Sequence, residues 1–142
     1  MLTNRLQGVM DDMIDKGHAA FVPGRVINDN IILSHELIKW YGRKGTSPRC
    51  MIKIDMQKAY DSLEWVFLEQ VLIGLNFLET FVKWIMTCVQ TVSYSIVVNG
   101  KETTPFAAKR GMRQGDPLSP YLFVIEMEYL TRLLKTLKSV QS

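Results

Sequence analysis

The sequence predicts an α+β fold, several helices with a small antiparallel sheet, and three observations predict it. Apolar residues recur at helical spacing through most of the chain. One short, partly β-branched run, Cys50-Met51-Ile52-Lys53-Ile54, reads as a buried strand that delivers Asp55 at its carboxyl end. Asn99-Gly100 separates two strand-like runs, residues 93–98 and 101–106, the dipeptide that most favours a tight hairpin. The 142 residues suffice for one domain with a core, since chains of this size bury roughly 68–70% of the surface they expose when unfolded.

Each element follows from local pattern. Leu2, Leu6, Val9, Met10 and Met13 set a first helix, with Lys16-Gly17 as its stop. A short apolar loop, residues 19–25, precedes a second helix over residues 26–41, carried by Ile27, Ile31, Leu37, Ile38 and Tyr41. Residues 42–48 form a breaker-rich connection before the strand. Beyond it, Asp61 or Ser62 is expected to cap a helix running through Leu75, with Leu63, Phe67, Val71 and Leu75 on its apolar stripe; Asp61 and Glu64 together resemble a capping box. A further helix is expected over residues 78–90, then the hairpin and a basic loop over residues 107–115. Asp116 is a natural N-cap and Pro117 a natural first residue for a last helix bearing Leu118, Leu122, Ile125, Tyr129 and Leu133. Glu126 places a charge within that helix where an apolar or small residue would be more usual. No internal repeat or domain linker is visible.

Composition excludes several classes. At 47% apolar and 22% charged residues, the chain is neither a disordered nor a fibrous sequence. Glu64, Glu69, Glu79 and Lys83 punctuate its most apolar region, so no membrane span is expected. Asp11, Asp12 and Asp15 occupy the place of a signal peptide's apolar stretch, which points to an intracellular setting, nucleus or cytoplasm. Cys50 and Cys88, without any CxxC or Cys/His cluster, read as free core thiols. Net charge is only +3, but residues 39–58 hold six basic residues (Lys39, Arg43, Lys44, Arg49, Lys53, Lys58) against Asp55 alone. Such a run is commonly a solvated surface; it also suits a phosphate backbone.

The residues suggest limited chemistry by themselves. Asp55, at the end of a strand in a basic neighbourhood, could hold Mg²⁺ beside a phosphate-bearing substrate, because hard oxygen ligands suit that ion. Taken alone, it reads more simply as a cap for the following turn. His18 and His35 have no ligand-like spacing. The loop Arg110-Gly111-Met112-Arg113-Gln114-Gly115-Asp116-Pro117 offers cations, an amide and glycines that admit a close approach to the backbone, yet matches neither phosphate-loop pattern.

Three strings taken together resemble a known family: Ala20-Phe21-Val22-Pro23-Gly24-Arg25, Ile52-Lys53-Ile54-Asp55-Met56-Gln57-Lys58-Ala59-Tyr60-Asp61, and Arg113-Gln114-Gly115-Asp116-Pro117-Leu118-Ser119-Pro120. Their order and spacing are similar to the reverse transcriptase domain of LINE-type retrotransposons, those without long terminal repeats. The resemblance implies that residues 1–142 are a partial reverse transcriptase domain, the fingers and part of the palm of a right-hand polymerase. It implies two-metal nucleotidyl transfer with Mg²⁺, an RNA template, a DNA primer and deoxynucleoside triphosphates. By resemblance, Asp55 is the first catalytic metal ligand and the Met56 carbonyl assists at the second metal. Tyr60 falls at the steric gate that rejects a ribose 2′-hydroxyl, Gln114 and Gly115 border the nascent base pair, Arg25 lies near the triphosphate, and Arg113 contacts template or nucleotide. The family's Ala-Asp-Asp motif is not found, since no Asp follows Asp116; the rest of the palm and the thumb are expected to be missing, and the chain alone is expected to be inactive. Two readings follow: a segment of a retrotransposon polymerase, or a catalytically inactive remnant or nucleic-acid-binding module.

Overall fold

The computed structural model describes residues 1–42, 45 and 51–139. Among them, six helices and a short antiparallel ribbon bear out the α+β class. The helices are α1 (Leu2–Met13), α2 (Ile27–Lys39), α3 (Ala59–Ser62), α4 (Trp65–Gly74), α5 (Glu79–Gln90) and α6 (Ser119–Ser139). α4 packs on α5 and on α6, and α1 packs on α6. Between them lies a core in which Leu6, Met10, Leu68, Leu72, Ile85, Leu122 and Ile125 are fully buried. Helical spacing places Leu6 and Met10 of α1 and Leu122 and Ile125 of α6 inward as expected, whereas α4 buries Leu68, Val71 and Leu72, and Phe67 and Leu75 of its expected stripe are only partly buried.

The hairpin forms where Asn99-Gly100 predicts it. Strands β2 (Val97–Val98) and β3 (Lys101–Glu102) pair antiparallel, and β1 (Ser93–Tyr94) pairs with β4 (Phe106–Ala107) further down the same ribbon. Asn99 at φ 50° and Gly100 at φ 77° both lie in the left-handed region that a type I′ turn requires. Between the two ladders, Thr103 N–H donates to the Ile96 carbonyl at 2.8 Å and Thr103 Oγ1 accepts from Ile96 N–H at 3.0 Å.

Four expectations are corrected. Residues 51–56 are neither strand nor helix, and Ile52 and Ile54 are 76% and 60% exposed. The ladders of the ribbon pair β1 with β4 and β2 with β3, and neither takes in residues 51–56, whose apolar side chains consequently stay exposed. The strand ending at Asp55 therefore does not join the hairpin in a sheet among the described residues; Cys50 and most of the connection over 42–48 lie outside them. Second, α2 forms, but none of its residues is buried, so its Ile27, Ile31, Leu37 and Ile38 stripe lies on the surface. Third, the helix expected from Asp61 or Ser62 to Leu75 is split by Leu63 and Glu64, both extended, and neither α3 nor α4 has a side-chain cap. Fourth, Cys88 is exposed, because the buried face of α5 is made by Val82, Ile85, Met86 and Val89.

A polar cluster fastens the amino-terminal region to α6. Glu128, 3% exposed, accepts from Asp15 N–H at 2.9 Å and from Arg132 Nε at 2.8 Å. His18 Nε2 lies 2.7 Å from Thr131 Oγ1, and Lys135 donates to Asp15. That bond and the Gly17 N–H hold the Asp15 carboxyl below its ordinary range.

Candidate nucleotide pocket

The site is built on the break between α3 and α4. In a continuous helix the Tyr60 carbonyl would accept from the amide four residues on. Here it accepts from Met112 N–H at 2.8 Å, and the Leu63 carbonyl accepts from Gly111 N–H at 2.8 Å. Trp65 Nε1 donates to the Gly111 carbonyl at 2.8 Å and closes the junction. Gly111 is required here: at φ +84° a Cβ would lie 2.9 Å from the Tyr60 carbonyl oxygen and 3.1 Å from Asp61 Cα.

This junction carries the Arg113-Gln114-Gly115 loop to α3. Lys58, Ala59, Tyr60, Asp61, Gln114 and Phe123 line a pocket of about 160 Å³. Tyr60 and Gln114, distant in sequence, thus face one cavity. The Tyr60 ring is partly buried and meets Phe123 edge-on, with centroids 5.3 Å apart at 85°. Gln114 is exposed at the rim, and Gly115 beside it has open space around its backbone. Asp116 caps the entry to α6 by accepting from Leu118 N–H at 2.9 Å, close to the expected cap. Arg113 is over half exposed and lies 3.6 Å from Asp116, while its carbonyl accepts from the Ser119 hydroxyl at 2.8 Å.

The other sequence-predicted residues stand apart from this cavity. Asp55 and Met56 lie exposed in the extended segment before α3 and do not line the pocket. Arg25 turns its guanidinium onto Asp11 and the carbonyls of Ile14, Asp15 and His18. Among the described residues, no group of three or more His, Cys, Asp or Glu side chains could hold a metal ion. Asp55 alone would be an incomplete Mg²⁺ site, since that ion draws its remaining ligands from waters, substrate phosphates and a further carboxylate. Sequence reasoning missed Phe123, which lies off the apolar stripe of α6, and Gly111, whose need appears only with the Tyr60 carbonyl against it.

The family described as reverse transcriptase (RNA-dependent DNA polymerase) matches residues 1–141. The chain belongs to the reverse transcriptase family. Among its relatives is the transposon TX1 uncharacterized 149 kDa protein of Xenopus laevis, 32% identical over 92% of this chain and 10% of that protein. A Pol polyprotein from the type-1 retrotransposable element R2 of Popillia japonica is 31% identical over 73% of this chain and 17% of its own length. The corresponding polyprotein from the type-2 element R2DM of Drosophila melanogaster is 30% identical over 88% of this chain and 11% of its own length. These relatives bear out the resemblance to LINE-type elements, and the reverse transcriptase chain spans at most about a sixth of their length. No helix among the described residues is long and apolar enough to cross a membrane.

Proposed function

We propose that this chain supplies the nucleotide-facing part of an RNA-directed DNA polymerase, working on an RNA template and a DNA primer with deoxynucleoside triphosphates. One observation supports it most: the Gly111-Met112 backbone is bonded onto Tyr60 and Leu63, so that Tyr60 and Gln114 share a pocket. In this reading the Tyr60 ring lies under the sugar, and its rigid edge-on contact with Phe123 keeps it from yielding to a 2′-hydroxyl. Gln114 and Gly115 border the base pair, with Arg113 reaching template or nucleotide phosphate. Asp55 is one metal-facing carboxylate, with the Met56 carbonyl beside it, and acts only where other parts of a longer protein bring further carboxylates. Two-metal transfer needs several such groups clamping two ions.

Primer extension tests this. The isolated chain should give no extension, while a protein that supplies the further carboxylates should lose extension on Asp55→Asn and keep template binding, since the change removes a ligand and adds no negative charge. Extension that survives Asp55→Asn contradicts the role of Asp55. The lone carboxylate also favours a second reading for the isolated chain, that of a nucleic-acid-binding module held to phosphate by exposed Lys53, Lys58, Lys109, Arg110 and Arg113.

A further inference from the structure

We infer that Arg25 is the positioning residue of α2, a clasp that fixes this helix on the end of α1, and that it does not hold a triphosphate. An arginine has five N–H donors in a rigid fork. Here all five are taken by the chain: Nε by Asp11 Oδ1 at 3.2 Å, Nη1 by the carbonyls of Asp15 at 2.5 Å and His18 at 2.8 Å, and Nη2 by Asp11 Oδ1 at 2.8 Å, with the Ile14 and Asp11 carbonyls at 3.1 and 3.3 Å. The side chain is 14% exposed. Its acceptors include carbonyls at the carboxyl end of α1, which lack helical partners and favour a cation.

The whole Val22-Pro23-Gly24-Arg25 string serves this placement. Val22 is 4% exposed and plugs into the core, while Pro23 and Gly24, at φ +77°, make a type II turn closed by Arg25 N–H on the Val22 carbonyl at 3.3 Å. The turn aims Arg25 back at α1 and starts α2 at Ile27. No residue of α2 is buried, and polar bonds that hold it include Arg25 at its foot and Asn30 Nδ2 on the Gly17 carbonyl at 2.8 Å.

Nuclear magnetic resonance on the full chain tests the clasp. Arg25→Ala should speed amide exchange in α2 and in residues 15–18 at least tenfold and leave α5 and α6 within twofold. Arg25→Lys, with three donors and no fork, should fall between. Equal loss everywhere would mean that the residue merely holds up the fold, and unchanged α2 exchange would mean that it does nothing there; either overturns the inference. In the wild type, adding dTTP with Mg²⁺ should leave the Arg25 Nε–H signal in place, and a saturable shift of that signal would overturn the exclusion of a triphosphate. The Gln114 side-chain amide reports the pocket separately, so failure of the nucleotide reading is distinguishable from failure of the clasp.

Discussion

Glu126 is the residue whose sequence context conflicted most with its helix, and its surroundings show the cost. It is half-buried in α6, and desolvation raises its carboxyl from the ordinary 4.5 to about 7. The folded chain therefore binds this proton more tightly than the unfolded chain. Stability falls as pH rises from about 4.5 to 7 and the full penalty stands above 7. Glu126→Gln should thus stabilise the chain at pH 8 by about 1–2 kcal/mol, a figure reduced for solvent screening, and change it little near pH 4.5. Urea unfolding at the two pH values checks both halves. Glu128 in the same helix is buried and hydrogen-bonded. Glu128→Ala leaves the Asp15 amide and Arg132 without their acceptor and should cost about 3 kcal/mol. At Gly111, Ala meets both a positive φ and the Tyr60 carbonyl, so a loss of about 2 kcal/mol or more is expected in the same assay.

At the scale of elements, stability should concentrate where α4, α5 and α6 meet. Leu72→Ala or Ile85→Ala, each emptying a fully buried site, should cost about 2–5 kcal/mol by denaturant unfolding. Ile31→Ala in α2 should cost far less, because its side chain is 47% exposed. This contrast marks what the sequence could convey. Helical spacing identified α1, α5 and α6, and Asn99-Gly100 located the hairpin, because both signals depend only on near neighbours. The same spacing could not tell that α2 would remain outside, since its stripe is as apolar as that of any core helix. The break at Leu63 was also hidden. It is set by Gly111 and Met112, whose amides capture the Tyr60 and Leu63 carbonyls from a distant part of the chain. The run Met51-Ile52-Lys53-Ile54 has strand composition, but composition does not supply a partner strand. Of the pocket, Tyr60 and Gln114 were legible only through the motif resemblance, and Phe123 was not legible at all.

At the scale of the chain, this member of the reverse transcriptase family has a helical core that holds a loop against a helix break. Exposed cations flank that junction in the sequence, Lys53 and Lys58 before it and Lys109, Arg110 and Arg113 after it. Binding of the isolated chain to nucleic acid should be nearly independent of sequence, and its affinity should fall with a log–log salt slope of about −0.9 for each duplex phosphate neutralised. Filter binding across salt concentrations measures this, and binding indifferent to salt would contradict it. The central claim is that Tyr60 and Gln114 enclose the incoming nucleotide. The most direct measurement is the ratio of deoxynucleotide to ribonucleotide incorporation by a protein that contains this chain and the further metal carboxylates, with Tyr60 or Val at position 60. Tyr60→Val should lower the preference for deoxynucleotides at least tenfold while deoxynucleotide extension persists, because the ring beneath the sugar is gone. An unchanged preference in an enzyme that still extends primers would contradict the account.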